Sequence, residues 1–386
     1  DRSQIFQLRL ARGTTLRPMK FAPFVDLLGG EGAQAWEILT ESRLALDRGE
    51  DVIVLSIGDP DLETPGFVVD AAVDALRKGD THYTELEGRH SLRASIANKI
   101  SRSAGVEIEP EWVTVLAGTQ NAFYSACRCL FGHGDEVIVL DPAYVTYEAC
   151  IASTGAQQVR VEQPAATGFR PDVDAIERAV TPATRGIVFS NPSNPTGVAL
   201  NGDELEAISR VAVSNDLWVV VDEVYSDLVF DGVHHSIAGL PGMLERTVTV
   251  SSVSKSYAMT GWRCGWAVGP PELGNHLRQM ALINLYGLPG FVMEAADVAL
   301  REGAEETETA RAIYRARRDL VVKELSRASD LPVLVPEAGM FLMADIRAHN
   351  ADANDFAWDL YRATGVSVLD AGAFGATSRG WVRISY

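Results

Sequence analysis

Short apolar runs alternate with polar turns and helical stretches through the centre of the chain. The runs EWVTVL, DEVIVL, RGIVFS and LWVVVD each end in a polar or glycine-containing turn, and RTVTVSS follows the same pattern. Runs of about five residues rich in β-branched side chains, without alternation, are typical of strands buried on both faces. The pattern therefore predicts an α/β fold with a mostly parallel sheet and helical crossovers.

A second pattern begins near Gly290. The segment REGAEETETARAIYRARRDLVVKELSRA has Ala, Ile, Leu and Val at helical spacing and predicts one long charged helix. The later segments LPVLVPEAGMFLMADI and VSVLDAGAFG to GWVRISY predict strands of a smaller sheet. We place the boundary inside a helix near 290–300 and expect the N-terminal helix GAQAWEILTESRLALDRG to pack against the smaller lobe. The predicted parts are an N-terminal arm (1–35), a large domain (64–295) and a small domain built from 36–63 and 296–386.

Composition narrows the classes of function. The 386-residue chain has a formal net charge of −18, which argues against nucleic acid or an anionic membrane as its main partner. Its four cysteines show no metal-ligand spacing, so we predict reduced cysteines and no metal site. No apolar stretch approaches the ~20 residues that span a bilayer, and the first segment lacks the apolar core of a signal peptide. We expect a soluble, cytoplasmic protein.

Polar side chains follow the predicted strands, at the end where ligands bind in sheets of this kind. Gly118, Thr119 and Gln120 follow one strand and open a helix. Free N–H groups at a helix N-terminus suit a phosphate, although the same turn also occurs in helices that bind no ligand. Tyr144 follows the next strand, where it is either an aromatic plate over a flat ligand or a packed turn residue.

Two further strand ends carry an amide, a carboxylate and a phenol. The loop NPSNPTG is constrained by two Asn-Pro steps and a glycine, and it can aim the amide of Asn194 inward. Asp222 closes the run LWVVVD, and Tyr225 follows three residues later. A carboxylate at this place either caps the next helix or binds a protonated ring nitrogen.

Lys255 and Arg263 are the charged residues of the stretch SSVSKSYAMTGWRCGW. The apolar neighbours predict a partly buried lysine, which is costly unless the amine has a chemical role. Together with the strand-end residues, the set comprises a phosphate cradle, an aromatic ring, an amide, a carboxylate, a phenol and an amine. Pyridoxal 5′-phosphate (PLP) needs these groups, because the protein must hold and polarise it.

Seven motifs, in order, give the chain a resemblance to a known family. The segments GDPDLETP, HYTELEG, LAGTQNA, DPAYVTY, NPSNPTG, DEVYSD and SVSKSYAMTGWRCGW resemble those of class I and II aminotransferases of fold type I, the aspartate aminotransferase kind. The resemblance covers about 20–386 and is nearest to the arginine–pyruvate transaminase branch. It implies a large domain, in which a mostly parallel seven-stranded sheet lies between helices, and a smaller α+β domain.

The resemblance implies roles for the residues that match its motifs. Lys255 matches the lysine that binds PLP as a Schiff base, and Asp222 matches the partner of the pyridine nitrogen. Asn194 and Tyr225 match the pair on the ring hydroxyl, and Tyr144 matches the aromatic residue stacked on the ring. The residues that match positions around the phosphate are Gly118, Thr119, Gln120, Ser252, Ser254 and Arg263.

Substrates and a partner subunit are also implied by the resemblance. Arg383, in WVRISY, matches the arginine that binds the substrate α-carboxylate, with Gly58 and Asn194 beside it. Tyr83, in HYTELEG, matches a tyrosine that reaches the phosphate of the other subunit, so a homodimer with sites at its interface is implied. The implied reaction moves the α-amino group of an L-amino acid to a 2-oxo acid by a ping-pong mechanism through pyridoxamine phosphate.

Two other functions remain open at this point. A related PLP lyase, cyclase or oxidase would share these residues, and a non-enzymatic aminotransferase-like sensor is the third hypothesis, although no basic DNA-binding segment precedes residue 36. Candidate residues of the side-chain pocket are Tyr286, Leu288 and Phe24. No second arginine for a distal carboxylate is recognised by motif, which favours a basic or neutral amino donor, with pyruvate as acceptor. The family usually continues for another helix beyond the motif of Arg383, where this sequence stops.

Overall fold

The computed structural model describes residues 20–22, 25–26, 32–350 and 352–386. The strands of this part are β1 (Ile53–Val54), β2 (Val113–Leu116), β3 (Glu136–Asp141), β4 (Gln157–Glu162), β5 (Thr184–Ser190), β6 (Trp218–Asp222), β7 (Thr247–Ser252), β8 (Gly265–Val268), β9 (Val333–Leu334), β10 (Phe341–Asp345), β11 (Val366–Ser367), β12 (Leu369–Asp370) and β13 (Trp381–Ser385). Its helices are α1 (Glu37–Asp47), α2 (Gly66–Arg77), α3 (His90–Ala104), α4 (Gly118–Leu130), α5 (Tyr147–Ala152), α6 (Val173–Ala179), α7 (Gly202–Ser214), α8 (Pro271–Asn284), α9 (Gly290–Glu302), α10 (Ala304–Ala328) and α11 (Ala353–Thr364).

The large sheet has seven strands in the order β2-β8-β7-β6-β5-β3-β4. Strands β3 to β7 pair in parallel, whereas β8 runs antiparallel to both of its neighbours. The prediction of a mostly parallel, seven-stranded sheet between helices is therefore confirmed.

Consecutive residues of the central strands enter two different hydrophobic cores. Val220 packs with the face covered by α4 and α8, whereas Val219 and Val221 pack with the face covered by α7. Side chains alternate between the faces of a strand, so a strand covered on both faces needs apolar residues at every position. Each fully buried valine contributes about 1.5–3 kcal/mol. This requirement explains the uninterrupted apolar runs in the sequence.

A smaller antiparallel sheet, in the order β12-β13-β10-β9, forms the second lobe. Its core includes Leu342 and Val382, and Ile38 of α1 packs there, as predicted for the N-terminal helix. The short strands β1 and β11 pair in parallel and connect 53–54 with 366–367.

The two helices that lead into the smaller lobe meet at Gly303. Helix α9 occupies the predicted boundary region, and the long charged helix is α10, which has 25 residues. Arg301 and Glu302, expected at the start of the long helix, belong to the last turn of α9 instead. The domain limits 64–295 and 296–386 remain a prediction. Within the described ranges, no helix is both long and apolar enough to cross a membrane.

Candidate active site

A cavity of about 370 Å³ lies at the carboxyl ends of the central strands. Strands β5, β6 and β7 are parallel neighbours, so Ser190, Asp222 and Ser252 at their ends meet at one edge of the sheet. Most of the predicted site residues line this cavity: Gly58, Thr119, Gln120, Tyr144, Asn194, Asp222, Tyr225, Ser252, Ser254, Lys255, Arg263 and Arg383. Tertiary structure thus brings together residues that lie far apart in the chain, from Gly58 to Arg383.

One end of the cavity is built to hold an anion. Helix α4 begins there, and its N-cap, Ala117, provides no side-chain hydrogen bond to the N–H groups of the first turn. Gly118 has a φ of 82°, and a Cβ built on it would lie 2.4 Å from Nη2 of Arg263. Thr119 Oγ1 donates a hydrogen bond to Ser252 Oγ at 2.9 Å. An uncapped helix N-terminus, hydroxyl groups and a guanidinium together match a phosphate.

Arg263 has no carboxylate partner among the described residues. Its guanidinium donates to the carbonyl oxygens of Thr260 at 2.8 Å and of Ala117 at 3.1 Å. These contacts orient the group toward Gly118 but do not neutralise its charge. The cation is therefore available to an anion in the cavity.

Asp222 is a buried carboxylate with two fixed hydrogen bonds. Tyr147 Oη donates to Oδ2 at 2.8 Å, and the backbone N–H of Val224 donates to Oδ1 at 3.0 Å. Burial raises the pKa of Asp222 to about 6, against the effect of these two hydrogen bonds, which lower it. The carboxylate would gain from a cationic partner in the cavity, since a buried charge is costly when unpaired.

The amine of Lys255 lies in the wall of the cavity, close to Gly58. Its Nζ donates to the carbonyl oxygen of Gly58 at 2.6 Å. Burial lowers the pKa of Lys255 to about 8; the nearby Asp59 carboxylate opposes this shift, and the Arg383 and Arg263 guanidinium groups add to it. A substantial fraction of the amine is consequently neutral, and nucleophilic, slightly above neutral pH.

Arg383 is a buried cation that has no carboxylate partner among the described residues. Only 2% of the residue is exposed. Its guanidinium donates to Asn194 Oδ1 at 3.1 Å and to the carbonyl oxygen of Ser56 at 3.0 Å, and its Nε has no partner in the part of the chain that the structure describes. Burial lowers its pKa to about 10. A guanidinium that lines a cavity without an anionic partner is a strong site for a carboxylate. The carboxylate would supply the negative charge and the hydrogen-bond acceptors that Arg383 lacks.

Two tyrosines complete the wall of the cavity. Tyr225 is 4% exposed, and its ring meets that of Phe341 edge-on at 5.3 Å between centroids. The ring of Tyr144 meets Tyr147 edge-on at 5.8 Å. Burial raises the pKa of both Tyr225 and Tyr144 above the usual range, so both phenols are neutral hydrogen-bonding groups.

Some predicted residues lie elsewhere in the single chain. The Tyr83 side chain is 85% exposed and contacts Tyr286 at 4.8 Å between ring centroids, outside the cavity. Leu288 is a core residue rather than part of the cavity wall, since it packs in the hydrophobic cluster of α2, α3 and α9. Gly118 lies beside Arg263, where a Cβ would collide with the guanidinium, but it is not part of the cavity lining itself. Phe24 lies outside the described residues.

Several residues of the cavity lining are not among those that the sequence predicted. Tyr147 stacks on Phe123 at 4.2 Å between ring centroids while it bonds Asp222, and Trp36 and Asp59 also line the cavity. Tyr147 had a signal in the sequence, because it is the second tyrosine of DPAYVTY and opens a helix directly after a strand end. Trp36, directly before α1, had none, since only folding brings this segment to the edge of the sheet. In the described ranges, no group of His, Cys, Asp and Glu is arranged to hold a metal ion.

Comparison with known proteins identifies the class. Residues 50–386 match the family model described as aminotransferase class I and II. The chain belongs to this family, and it is an aminotransferase.

Individual relatives agree with that class. Arginine–pyruvate transaminase of Pseudomonas aeruginosa is 44% identical over 366 residues, which cover 95% of this chain and 93% of that protein. Aspartate aminotransferase of Pyrococcus abyssi is 36% identical over 341 residues, 87% of either chain. The solved structure of aspartate aminotransferase from Thermus thermophilus with maleate has a TM-score of 0.90 and 32% identity, covering 96% of this chain and 95% of that one. The predicted family and fold are confirmed.

Proposed function

We propose that the protein is a PLP-dependent aminotransferase that moves the α-amino group of an L-amino acid to a 2-oxo acid in a ping-pong reaction. One observation carries the proposal: the partly buried amine of Lys255 and the unpaired guanidinium of Arg383 line the same cavity as an anion cradle. The reaction needs an amine for the cofactor, a cation for the substrate carboxylate and a phosphate site, and these are the groups present.

The residues of the cavity fit PLP. The uncapped start of α4, with Thr119, Gln120, Ser252, Ser254 and Arg263, would hold the phosphate, because these groups offer hydrogen bonds and positive charge without a competing carboxylate. The glycine at 118 supports this phosphate site, since a side chain at that position would collide with Arg263.

The ring of the cofactor has matching partners in the same cavity. Asp222 would pair with the protonated pyridine nitrogen, Asn194 and Tyr225 would bind the ring hydroxyl, and Tyr144 would stack on the ring. When bound, PLP supplies an aldehyde and an electron-withdrawing ring. Asp222 strengthens this withdrawal, because a carboxylate beside the ring nitrogen keeps that nitrogen protonated.

Lys255 and Arg383 act on the substrate. Lys255 would hold the cofactor covalently between reactions, and its freed amine would then carry the proton removed from the substrate α-carbon. A pKa of about 8 suits this role, since the amine can accept and release a proton near neutral pH. Arg383 would bind the α-carboxylate with both of its terminal nitrogens, and we expect the N–H of Gly58, which also lines the cavity, to donate to the same group.

Charges in the cavity favour a basic or neutral amino donor over an acidic one. The charged side chains that line it are Asp59, Asp222, Lys255, Arg263 and Arg383. Once PLP and the α-carboxylate have used the other four, Asp59 remains, and it would repel a second carboxylate. The similarity to arginine–pyruvate transaminase supports the same choice, with pyruvate as acceptor.

The assembly proposed is a homodimer in which Tyr83 of each subunit completes the phosphate site of the other. The dimer is supported by Tyr83 itself, a large aromatic residue that is 85% exposed and lies outside the cavity of its own chain. The cytoplasmic location and the division into a large and a small domain also remain predictions.

Half-reaction spectroscopy tests the chemistry. An amino donor alone should convert the absorbance of bound PLP into that of pyridoxamine phosphate, and a 2-oxo acid should then restore it. A related lyase, cyclase or oxidase would release product without this reversible exchange. An aminotransferase-like sensor would bind the cofactor and turn over neither substrate, so each alternative gives its own result.

A donor screen tests the substrate class. Arginine, lysine, alanine, aromatic amino acids and aspartate would be compared with pyruvate and with 2-oxoglutarate as acceptors. We expect basic or neutral donors to give the highest kcat/KM. If aspartate exceeded them by about tenfold, a difference of about 1.4 kcal/mol in the transition state, the proposed donor class would be wrong while the aminotransferase assignment would stand.

A further inference from the structure

Lys99, Asp227 and Ser256 form a polar cluster that does not line the cavity. Lys99 Nζ donates to the two carboxylate oxygens of Asp227 at 2.5 and 2.6 Å, and Ser256 Oγ donates to Oδ2 at 2.5 Å. Only 17% of the Lys99 side chain and 20% of the Asp227 side chain are exposed, and Ser256 is 3% exposed. The carboxylate therefore accepts three hydrogen bonds in a place largely closed to solvent.

The positions of these residues in the chain connect the cluster to the site. Asp227 follows Tyr225 by two residues in the 3-10 turn Ser226–Leu228 beyond β6, and Ser256 directly follows Lys255 beyond β7. The Asp227–Ser256 hydrogen bond thus joins the turn that carries Tyr225 to the turn that carries Lys255. Lys99, on α3, fixes the shared carboxylate from a third element.

Strand pairing alone does not hold the turn of Lys255. Strand β7 ends at Ser252 and β8 begins at Gly265, so the lysine lies in the connection between them. Backbone hydrogen bonds within this connection include those from Tyr257 N–H to Val253 O at 3.2 Å and from Met259 N–H to Ser254 O at 3.1 Å. A side chain that must act within a fraction of an ångström needs further support from its neighbours.

Asp227 keeps its charge in this environment. Burial would raise its pKa, but the charge of Lys99 and the hydrogen bonds from Lys99 and Ser256 keep it below the usual value, and His234 contributes in the same direction. His234 Nε2 itself lies 3.2 Å from Glu223 Oε2. The partly buried ion pair of Lys99 and Asp227 adds little net stability to the fold, because the desolvation of the two charges offsets their attraction. Its more specific effect is to fix geometry.

We propose that Asp227 is a positioning residue of this aminotransferase. Held by Lys99 and bonded to Ser256, it sets the placement of Lys255 relative to Tyr225, the two residues assigned to the aldehyde and the ring hydroxyl of PLP. The inference rests on the proposed function of the cavity. It adds that the two turns are linked outside the cavity through one carboxylate.

Ser256→Ala tests this link with the smallest change, because it removes one hydrogen bond and leaves the Lys99–Asp227 pair intact. In the PLP-loaded enzyme, we expect kcat to fall about 10-fold with little change in KM. The pH midpoint of the absorbance of bound cofactor should also shift, since Lys255 and Tyr225 would no longer be held in register. Ser256→Thr retains the hydroxyl and should keep both wild-type values.

Asp227→Asn provides a second variant, and Asp231→Asn is its matched control. Asp231 lies four residues further on and pairs with Arg315 and Arg318, away from both turns, so its variant should leave the absorbance titration unchanged. Asp227→Asn should shift the midpoint at least as far as Ser256→Ala. If Asp227→Asn does not fold, the comparison of Ser256→Ala with Ser256→Thr still tests whether the Ser256 hydroxyl helps to position Lys255.

Two results would overturn the inference. One is a Ser256→Ala enzyme with an unchanged absorbance titration and unchanged kcat, even if its melting temperature falls. The other is an Asp227→Asn enzyme that folds and keeps both the wild-type absorbance titration and the wild-type kcat. Failure of the proposed function looks different, because the wild-type protein would then show no bound-cofactor absorbance or no transamination.

Discussion

The phenol of Tyr147 donates a hydrogen bond to Oδ2 of Asp222 at 2.8 Å, while the Tyr147 ring stacks on Phe123. The stacking holds the phenol in place, and the phenol fixes one face of the carboxylate that we assign to the pyridine nitrogen. This relationship makes Tyr147 part of the electrostatics of the site, although no motif assigned it a role.

Tyr147→Phe should weaken PLP binding without unfolding the protein. The ring stacking is kept, but loss of the hydrogen bond removes an interaction that lowers the pKa of Asp222, so this pKa should rise above about 6. Less carboxylate is then ionised at neutral pH, and we expect the Kd of the apoprotein for PLP to rise about 10-fold. Fluorescence titration at several pH values measures this, and the loss should shrink as pH rises.

Tyr314→Phe is the matched control for Tyr147→Phe. Its hydroxyl is buried and has no hydrogen-bond partner within the described ranges, so its removal should leave the PLP affinity unchanged. Equal effects of the two substitutions would contradict a specific role of Tyr147.

Lys255 should react with the cofactor aldehyde in a pH range well below that of an ordinary lysine. Its pKa is lowered to about 8, chiefly by burial, so the neutral amine forms as pH rises through about 8 rather than about 10.4. Reaction of apoprotein with PLP, trapped with borohydride and mapped by peptide analysis, should increase over this range and then level off. Labelling mainly at another lysine, or a midpoint near 10, would contradict the assignment.

Arg383→Ala should raise KM for every donor, whatever its side chain. The α-carboxylate would lose a bidentate ionic contact in a closed site, which we expect to lower kcat/KM about 100-fold or more. Arg347→Ala offers a control, because Arg347 is 59% exposed and pairs with Asp345 outside the cavity. A decrease confined to one class of donor would instead place Arg383 in the side-chain pocket.

The proposed dimer predicts that cofactor binding depends on association. Exposed Tyr83, Ile283 and Tyr286 provide an apolar surface on the single chain, with exposed fractions of 85%, 76% and 53%. Sedimentation should show the mass of a dimer, and Tyr83→Phe should weaken PLP binding while the dimer persists, because the substitution removes only the hydroxyl. A fully active monomer would contradict the role of Tyr83.

The sheet and the family were predictable from the sequence because both depend on local patterns. Uninterrupted β-branched runs such as LWVVVD require burial on both faces, and strand ends carry the polar groups that a ligand needs. The confirmed long helix was predictable for the same reason, although its first residue was not, since Gly303 separates α10 from α9 and a helical pattern runs through it.

Sequence by itself determined the chemical types available: the amine of Lys255, the carboxylate of Asp222 and the guanidinium groups of Arg263 and Arg383. Only the tertiary structure decided their environments. Three features depend on contacts between distant residues: the surroundings of Arg383, the bond of Tyr147 to Asp222 and the acid that Ser256 meets. The bonded residues are 189, 75 and 29 positions apart in the chain, respectively. Burial and pairing across such separations arise from packing of the whole chain, and these two quantities set charge and reactivity in the site.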